Sequence, residues 1–291
     1  MTTPPRPFIV VPCYNEARRI DETAFVDLAR DGRLRLLFVD DGSTDGTGAV
    51  LARMAKASKW IEVFTLAANA GKAEAVRRGL LVAVRNGAEI VGYYDADQAT
   101  PPAELVRLTR RLQREPELAA VLGSRVARMG SSVRRKAVRH YLGRVYGTLA
   151  VMALGVTVYD TQCGAKVFRV NEALVNAIST PFRSSWSFDV ELLHRLLSGS
   201  GQAPGLPESS FEEMPLETWH DVSGSKLKLS SALLALFDLL TIARKRWRRG
   251  RPGLREAEER APAEVIAPQL RAGDRLASRR FGHHERRRQE A

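Results

Sequence analysis

Cysteine is scarce: Cys13 and Cys163 are the only two in 291 residues. They lie far apart without C-x-x-C spacing, which argues against a disulfide framework or zinc site. A reducing compartment is therefore expected. Long apolar runs are also missing. The longest stretch without a charge, Val145–Tyr159, has 15 residues, short of the roughly 20 that cross a bilayer. The opening MTTPPRPFIVVPCYNE has neither the basic start nor the cleavage site of a signal peptide. No G-x-G-x-x-G follows the first apolar run, which argues against a dinucleotide oxidoreductase. Compositional bias is absent too: 44% hydrophobic and 27% charged residues exclude collagen-like, low-complexity and wholly disordered chains.

What the chain does have is positive charge, +12 in total. Residues 244–291 carry 15 Lys+Arg against 7 Asp+Glu, so most of the excess belongs to the C-terminal end. A basic tail suits an anionic membrane surface or nucleic acid. Nucleic acid is the weaker reading, because Phe281 is the only aromatic beyond Trp247 and basic clusters lack the interleaved rings that stack on bases. His283-His284 in this tail reads as solvated.

The first half alternates short apolar runs with helical periodicity. Strands are expected at 8–11, 34–39, 61–66, 90–94 and 118–123, and helices at 17–30, 72–86 and from Pro101-Pro102 to 114. A further helix follows the turn Asp40-Asp41-Gly42-Ser43-Thr44-Asp45-Gly46, with Ser43, Thr44 or Asp45 as N-cap. This alternation predicts βαβ units and a parallel sheet, whose ligand sits at the carboxyl ends of the strands. The polar motifs fall at those ends: Asn15-Glu16, Asp40-Asp41, Asn69, Asp95–Asp97 and Arg125. In the second half, helices are expected at 134–154, 188–197 and 227–247, and strands at 162–169 and 211–216. From Gly250 onward no long apolar face is present, and a disordered tail is expected.

Asp95-Ala96-Asp97 carries the strongest chemistry. Two carboxylates at i and i+2 after a buried strand can face one hard cation, and Mg²⁺ characteristically takes one or two carboxylates plus substrate phosphates. Such a cation clamps a diphosphate leaving group. At Asp40-Asp41 a carboxylate can accept from a ribose or base, while neighbours cap the helix. Asn69-Ala70-Gly71-Lys72 opens a helix: Gly71 admits backbone near a ligand and Lys72 can approach phosphate. It lacks the G-x-x-x-x-G-K-[ST] of a P-loop.

Val11-Pro-Cys-Tyr-Asn-Glu-Ala17, Val39-Asp-Asp-Gly-Ser-Thr-Asp-Gly-Thr47, Asn69-Ala-Gly-Lys72 and Asp95-Ala-Asp97, in this order, resemble the family-2 glycosyltransferases of GT-A fold. Gly123-Ser-Arg125, Asp160 through Arg169, Trp186 through Leu192, and Trp219 through Lys226 are similar to the dolichyl-phosphate β-glucosyltransferase branch. The likeness spans roughly residues 8–248. It implies an α/β GT-A fold: a Rossmann-like, mostly parallel sheet flanked by helices, with C-terminal helices and a disordered basic tail. The expected division is a glycosyltransferase domain over 1–249 (8–130 for the nucleotide sugar, 131–249 for the acceptor) and the tail over 250–291.

The resemblance further implies an inverting, single-displacement transfer of a sugar, glucose favoured, from a nucleotide-diphosphate donor, UDP-glucose favoured, to a polyprenyl or dolichyl phosphate. Asp95 and Asp97 would hold Mg²⁺ or Mn²⁺. Pro12, Tyr14, Asn15, Glu16, Asp40, Asp41, Lys72 and Ala96 would join them around the nucleotide sugar. Arg125, Arg134, Arg135, Arg139, Gln162, Lys166, Trp186 and Lys226 would meet the acceptor. Asp189, Asp97 and Arg125 would act at the reacting groups. A phosphate acceptor, already anionic, requires no strong base; a hydroxyl acceptor requires one, and Asp189 is then the candidate. Helix N-capping is its plainer role.

Arg134, Arg135, Lys136, Arg139 and Arg144 lead into Val145–Val158, a basic start with an apolar continuation. That suits a lipid phosphate, or equally a core helix with a solvated end. The 227–247 segment ends in Arg-Lys-Arg-Trp-Arg-Arg, which suits either an interfacial helix or one packed on its own domain. The resulting expectation is a cytoplasmic enzyme, peripheral at the cytoplasmic face of the membrane, touching anionic lipid and no nucleic acid. A soluble or glycan hydroxyl acceptor is the alternative, and a non-enzymatic nucleotide- or nucleic-acid-binding protein the remote one.

Overall fold

The computed structural model describes residues 6–30, 33–126, 132–133, 137–200, 203–220 and 275–277, the backbone alone for 132–133, 137–145 and 275–277. The apolar runs of the first half become β1 (Phe8–Cys13), β2 (Arg35–Asp40), β3 (Ile61–Thr65) and β4 (Ile90–Tyr94). They alternate with α1 (Glu22–Arg30), α2 (Thr47–Ala57) and α3 (Lys72–Arg85), and α4 (Pro102–Arg114) follows β4. The four strands pair in parallel in the order β3-β2-β1-β4. The chain thus winds outward from β1 to β3 and returns to its other side at β4. Such a reversal opens a crevice at the carboxyl ends of the strands.

The second half extends the same sheet. After β5 (Ala120–Ser124) come β6 (Ser132–Val133) and α5 (Ala137–Leu154), then β7 (Ala165–Arg169), α6 (Glu172–Ser179) and α7 (Phe188–Ser198). A 3₁₀ turn (Glu208–Ser210) leads into β8 (Phe211–Pro215) and β9 (Thr218–Trp219). β7 inserts antiparallel between β4 and β5, and β8 runs parallel to β5 at the edge. β6 and β9 form a separate two-stranded parallel sheet. At the opposite edge β10 (Arg275–Ala277) pairs antiparallel with β3.

Both faces of the sheet are covered, as continuous apolar strands require. On β1, Phe8 and Val10 pack with Leu37, Val39 and, from α3, Val76 and Leu80. Ile9, Val11 and Cys13 pack on the other face with Phe25 of α1, Leu51 of α2 and Leu105 and Leu108 of α4. Alternate residues of one strand thereby build two cores.

Several expected boundaries are corrected. The first helix starts at Glu22, not 17, because the backbone of 15–17 is drawn to the turn after β2 (below) and Arg19 and Ile20 donate to Glu16 O instead. The N-cap of α2 is Gly46, left-handed at φ 93, and not Ser43 or Thr44, which bond the loop after β1; Asp45 bonds both, its Oδ2 accepting from Ala17 N and its Oδ1 from Thr47 N (3.0 Å) in the first turn of α2. β7 starts at Ala165, not 162, since Asp160–Gly164 is a turn in which Gln162 N donates to Asp160 Oδ1. α6, capped by Asn171 through the Leu174 N–H, lies in a stretch for which no element was expected. The helix expected at 227–247 and, β10 apart, the tail from 250 lie outside the described residues.

Candidate active site

Two loops at the carboxyl edge of the sheet are sewn together by side chains. After β1, Asn15 N donates to Ser43 Oγ (3.0 Å), Glu16 N to Thr47 Oγ1 (2.9 Å) and Ala17 N to Asp45 Oδ2 (3.1 Å), while Asn15 Oδ1 accepts from Thr44 N (2.9 Å). Asn15 holds a left-handed φ of 54, a conformation that Asn tolerates better than most residues. Pro12 ends half-buried on β1 and Tyr14 is exposed beside it.

The aspartate pair after β2 divides its work. Asp40 is buried and accepts from Ser43 N at 3.0 Å, tightening the turn. Asp41 is buried too and spends both oxygens on the next loop: Oδ1 on Ala70 N (2.7 Å), Oδ2 on Gly71 N (2.8 Å) and Asn69 Nδ2 (3.0 Å). Asp41, expected at the nucleotide, is thus the anchor of the Asn69–Lys72 segment. Its pKa is raised, burial and Asp40 outweighing the hydrogen bonds from Ala70 and Gly71. Gly42 completes the junction: at φ 68, a Cβ there would stand 2.6 Å from Asn69 N.

With that loop fixed, α3 presents Lys72 to the end of β4, where its Nζ lies 2.7 Å from Asp95 Oδ1. Burial opposes the charge on Lys72, yet its pKa is raised, because the carboxylates of Asp95, Asp189 and Asp97 surround it. Ala96 is buried between the two aspartates. Asp97 accepts from Ala99 N (3.1 Å), and its Oδ2 meets the Arg19 guanidinium (3.4 Å), which also holds Glu16 Oε1 (3.2 Å). Burial and the neighbouring Asp95 raise the pKa of Asp97. Arg19 was not among the expected site residues; it stands within what reads as a plain helical segment.

These groups fit a divalent cation. Asp95 Oδ1 is buried, and the group that neutralises it is the flexible ammonium of Lys72 at 2.7 Å. Two half-buried carboxylates repel one another here, and a cation between them relieves that repulsion. Among the described residues no group of three or more His, Cys, Asp or Glu forms a complete metal cage. A cation would therefore take its remaining ligands from substrate and water, as Mg²⁺ commonly does.

On the far side, Arg125 grips Asp160 through Nε (2.7 Å), Nη2 (2.8 Å) and its backbone N–H (2.8 Å), and lies 5.6 Å from the Trp219 ring centroid. Glu213 secures the same turn by accepting from Tyr159 N and Asp160 N. Gln162 donates to the Tyr146 hydroxyl (3.2 Å). Trp186 is half-buried in the loop before α7. Lys166, expected at the acceptor, is instead fully buried and bonded to Asp189 Oδ1 (2.8 Å) and Cys163 O. The reason is its register on β7, where the inward-facing side chain meets the first turn of α7. Asp189 also accepts from the Tyr93 hydroxyl, and Ser187, not Asp189, is the N-cap of α7. Arg134, Arg135 and Lys226 lie outside the described residues, and of Arg139 only the backbone, in α5, is described.

Residues 8–173 match the model of the family described as glycosyl transferase family 2. The chain belongs to that family. The family-2 chain is 31% identical to a dolichyl-phosphate β-glucosyltransferase of Trichomonas vaginalis over 247 residues, covering 80% of this chain and 69% of the relative. It is 28% identical to a dolichyl-phosphate β-glucosyltransferase of Saccharomyces cerevisiae, over 81% and 73%. A polyprenol monophosphomannose synthase of Mycolicibacterium smegmatis is 27% identical, over 77% and 83%. In fold, the family-2 chain is similar to the glucosyl-3-phosphoglycerate synthase of Mycobacterium tuberculosis crystallised with Mn²⁺, UDP and glucosyl-3-phosphoglycerate. The TM-score there is 0.58 at 19% identity, over 83% of this chain and 81% of that one. The GT-A architecture and the glycosyltransferase class expected from the motifs are therefore met. No helix among the described residues is long and apolar enough to cross a membrane.

Proposed function

We propose that this glycosyltransferase moves glucose from UDP-glucose to a polyprenyl or dolichyl phosphate with inversion. The observation that carries the reading is the convergence of Asp95, Asp97, Lys72 and Arg19 at the carboxyl edge of the sheet. Two carboxylates for a cation, with two cations beside them, suit a diphosphate that must leave with its charge compensated. The names of the relatives support the acceptor and the glucosyl group.

Asp95 and Asp97 would hold Mg²⁺ or Mn²⁺, which when bound supplies Lewis-acid neutralisation of the departing diphosphate. Lys72 and Arg19 shift from their carboxylate partners toward the donor's phosphates. The loop of Asn15–Glu16 and the Asp40 turn form the wall for the nucleoside. An acceptor phosphate oxygen attacks the anomeric carbon, the new C–O bond forms, and the bond from that carbon to the β-phosphate oxygen breaks. The acceptor oxygen bears no proton to remove, so no general base is needed. Arg125, pre-set by Asp160, faces the acceptor's charge. A hydroxyl acceptor is the second reading, favoured by Asp189, whose Oδ2 accepts no hydrogen bond among the described residues. The basic run Arg244–Arg249 would hold the enzyme peripherally on the anionic, cytoplasmic face of a membrane.

The test offers UDP-glucose, UDP-GlcNAc and GDP-mannose, each with Mg²⁺ or Mn²⁺ and a short polyprenyl phosphate, and follows sugar into the organic phase. Transfer from UDP-glucose, abolished by chelator and by Asp97→Ala, is the expected result. Metal-dependent UDP binding without lipid product would move the acceptor to a hydroxyl. No binding and no transfer would overturn the proposal. Sedimentation with anionic vesicles at low salt, lost on truncation after Ile242, tests the membrane contact.

A further inference from the structure

Four charged side chains of alternating sign run from the interior to the mouth of the site. Lys166 is innermost, fully buried on β7, with its ammonium on Asp189 Oδ1 at 2.8 Å and on Cys163 O. Asp189 follows, 5% exposed in the first turn of α7, and the Tyr93 hydroxyl donates to the same oxygen. Lys72 is next; its ammonium lies 6.0 Å from the ring centroid of Phe188, the chain neighbour of Asp189. Asp95 ends the series, 2.7 Å from the Lys72 ammonium.

This order has a consequence for the donor site. A lysine stem is flexible, and its head is strongly hydrated. With Asp95 as its only counter-charge, the Lys72 ammonium would be repelled into solvent once a divalent cation occupied Asp95. A second carboxylate behind it changes that balance. Among the described residues no hydrogen bond reaches Asp189 Oδ2, and the charge of Asp189 acts on the Lys72 ammonium. A buried carboxylate itself needs a partner, since an unpaired buried charge is costly. Lys166 supplies the charge and Tyr93 a second donor, both on Oδ1, which leaves Oδ2 with neither.

We propose that Asp189 is a positioning residue that keeps the Lys72 ammonium at the donor diphosphate, and that Lys166 and Tyr93 act on the reaction only through Asp189. The inference rests on the glycosyl-transfer reading above and names what Asp189 does in it, in place of a general base.

The test uses the full chain with UDP-glucose, Mn²⁺ and polyprenyl phosphate, and wild-type transfer is measured first. Asp189→Asn is expected to raise KM for the donor and to lower kcat/KM for it about tenfold, or ~1.4 kcal/mol. Tyr93→Phe, which removes one hydroxyl, is expected to act in the same direction by about threefold. In a Lys72→Met background, adding Asp189→Asn is expected to change kcat/KM by less than about twofold, because coupled residues are not additive. Thermal melting of each variant separates kinetics from folding, and Tyr93→Phe keeps the idea testable if Asp189→Asn does not fold. An equal loss from Asp189→Asn with and without Lys72 would show that Asp189 acts directly, and the inference would fail. Unchanged donor kinetics with lowered melting in Asp189→Asn and Tyr93→Phe would make the cluster purely structural and also overturn it. Absence of wild-type transfer from every donor would instead sink the parent reading, and the inference with it.

Discussion

Gly164 lies against the side chain of Asp95, so that a methyl group on it would stand 2.1 Å from Asp95 Oδ2, while its carbonyl accepts the Asp95 N–H at 2.9 Å. The turn before β7 thus sets where a carboxylate of the proposed donor site stands. Gly164→Ala is expected to push Asp95 aside and lower transfer about 100-fold, the scale of a ~1 Å misplacement at a reacting centre. Its melting temperature should change little, because the crowding falls on a half-exposed carboxylate and not on the core. Metal-titrated rate measurements beside a thermal melt check this.

Asp41 makes a separable prediction. Asp41→Ala strips the acceptor from Ala70 N, Gly71 N and the Asn69 side chain. Losing these part-buried bonds to a charged group costs about 1.5–3 kcal/mol, read as a shift in the urea midpoint. The donor KM should rise as well, because Lys72 follows this loop. Asp41→Asn is expected to recover only part of both, since its amide nitrogen cannot accept.

Glu74 is a reporter of pH. It bonds Arg77 at 2.7 Å and Arg78 at 2.8 Å. Burial alone would raise its pKa, but these two guanidinium groups hold it below 4.5. A carboxylate with a depressed folded-state pKa adds stability that is present above its unfolded value and lost as pH falls through the folded one. Glu74→Gln is therefore expected to destabilise by about 1–2 kcal/mol at neutral pH and by progressively less below pH 4.5. Unfolding free energies at stepped pH values test the sign.

Both cysteines should be silent in the native protein. Cys13 and Cys163 are buried. Burial, aided by Asp160, pushes the Cys163 thiol up to about 11, and burial with Glu16 raises that of Cys13. The thiolate is the reactive form, so iodoacetamide at pH 8 is expected to label neither until denaturant is added. Mass spectrometry of the two samples decides it.

Part of this molecule is legible in local pattern alone. Continuous runs such as Phe8–Val11 and Ile90–Tyr94, short, rich in β-branched and aromatic residues and bounded by turn signals, read as strands buried on both faces, and their alternation with helical periods gives the parallel half of the sheet. The carboxylates at strand ends are legible for the same reason, because a strand that ends in Asp-x-Asp delivers both to the sheet's edge. Those features depend on residues a few positions apart.

What the tertiary structure decided lies between residues far apart in the chain. Arg19 reads as a helix residue until the turn around it brings its guanidinium to Asp97, 78 positions away. Asp41 reads as a ligand until the loop of Asn69–Gly71 closes over it. Lys166 reads as an acceptor-binding cation until β7, antiparallel between β4 and β5, carries it inward to Asp189. A strand's apolar period fixes which face a side chain takes, but not which strand or helix will cover that face. The sequence by itself determined the parallel strands of the first half and the carboxylates at their ends, because those depend on local pattern, and only the packing of distant segments set the order of the sheet and chose which charges meet.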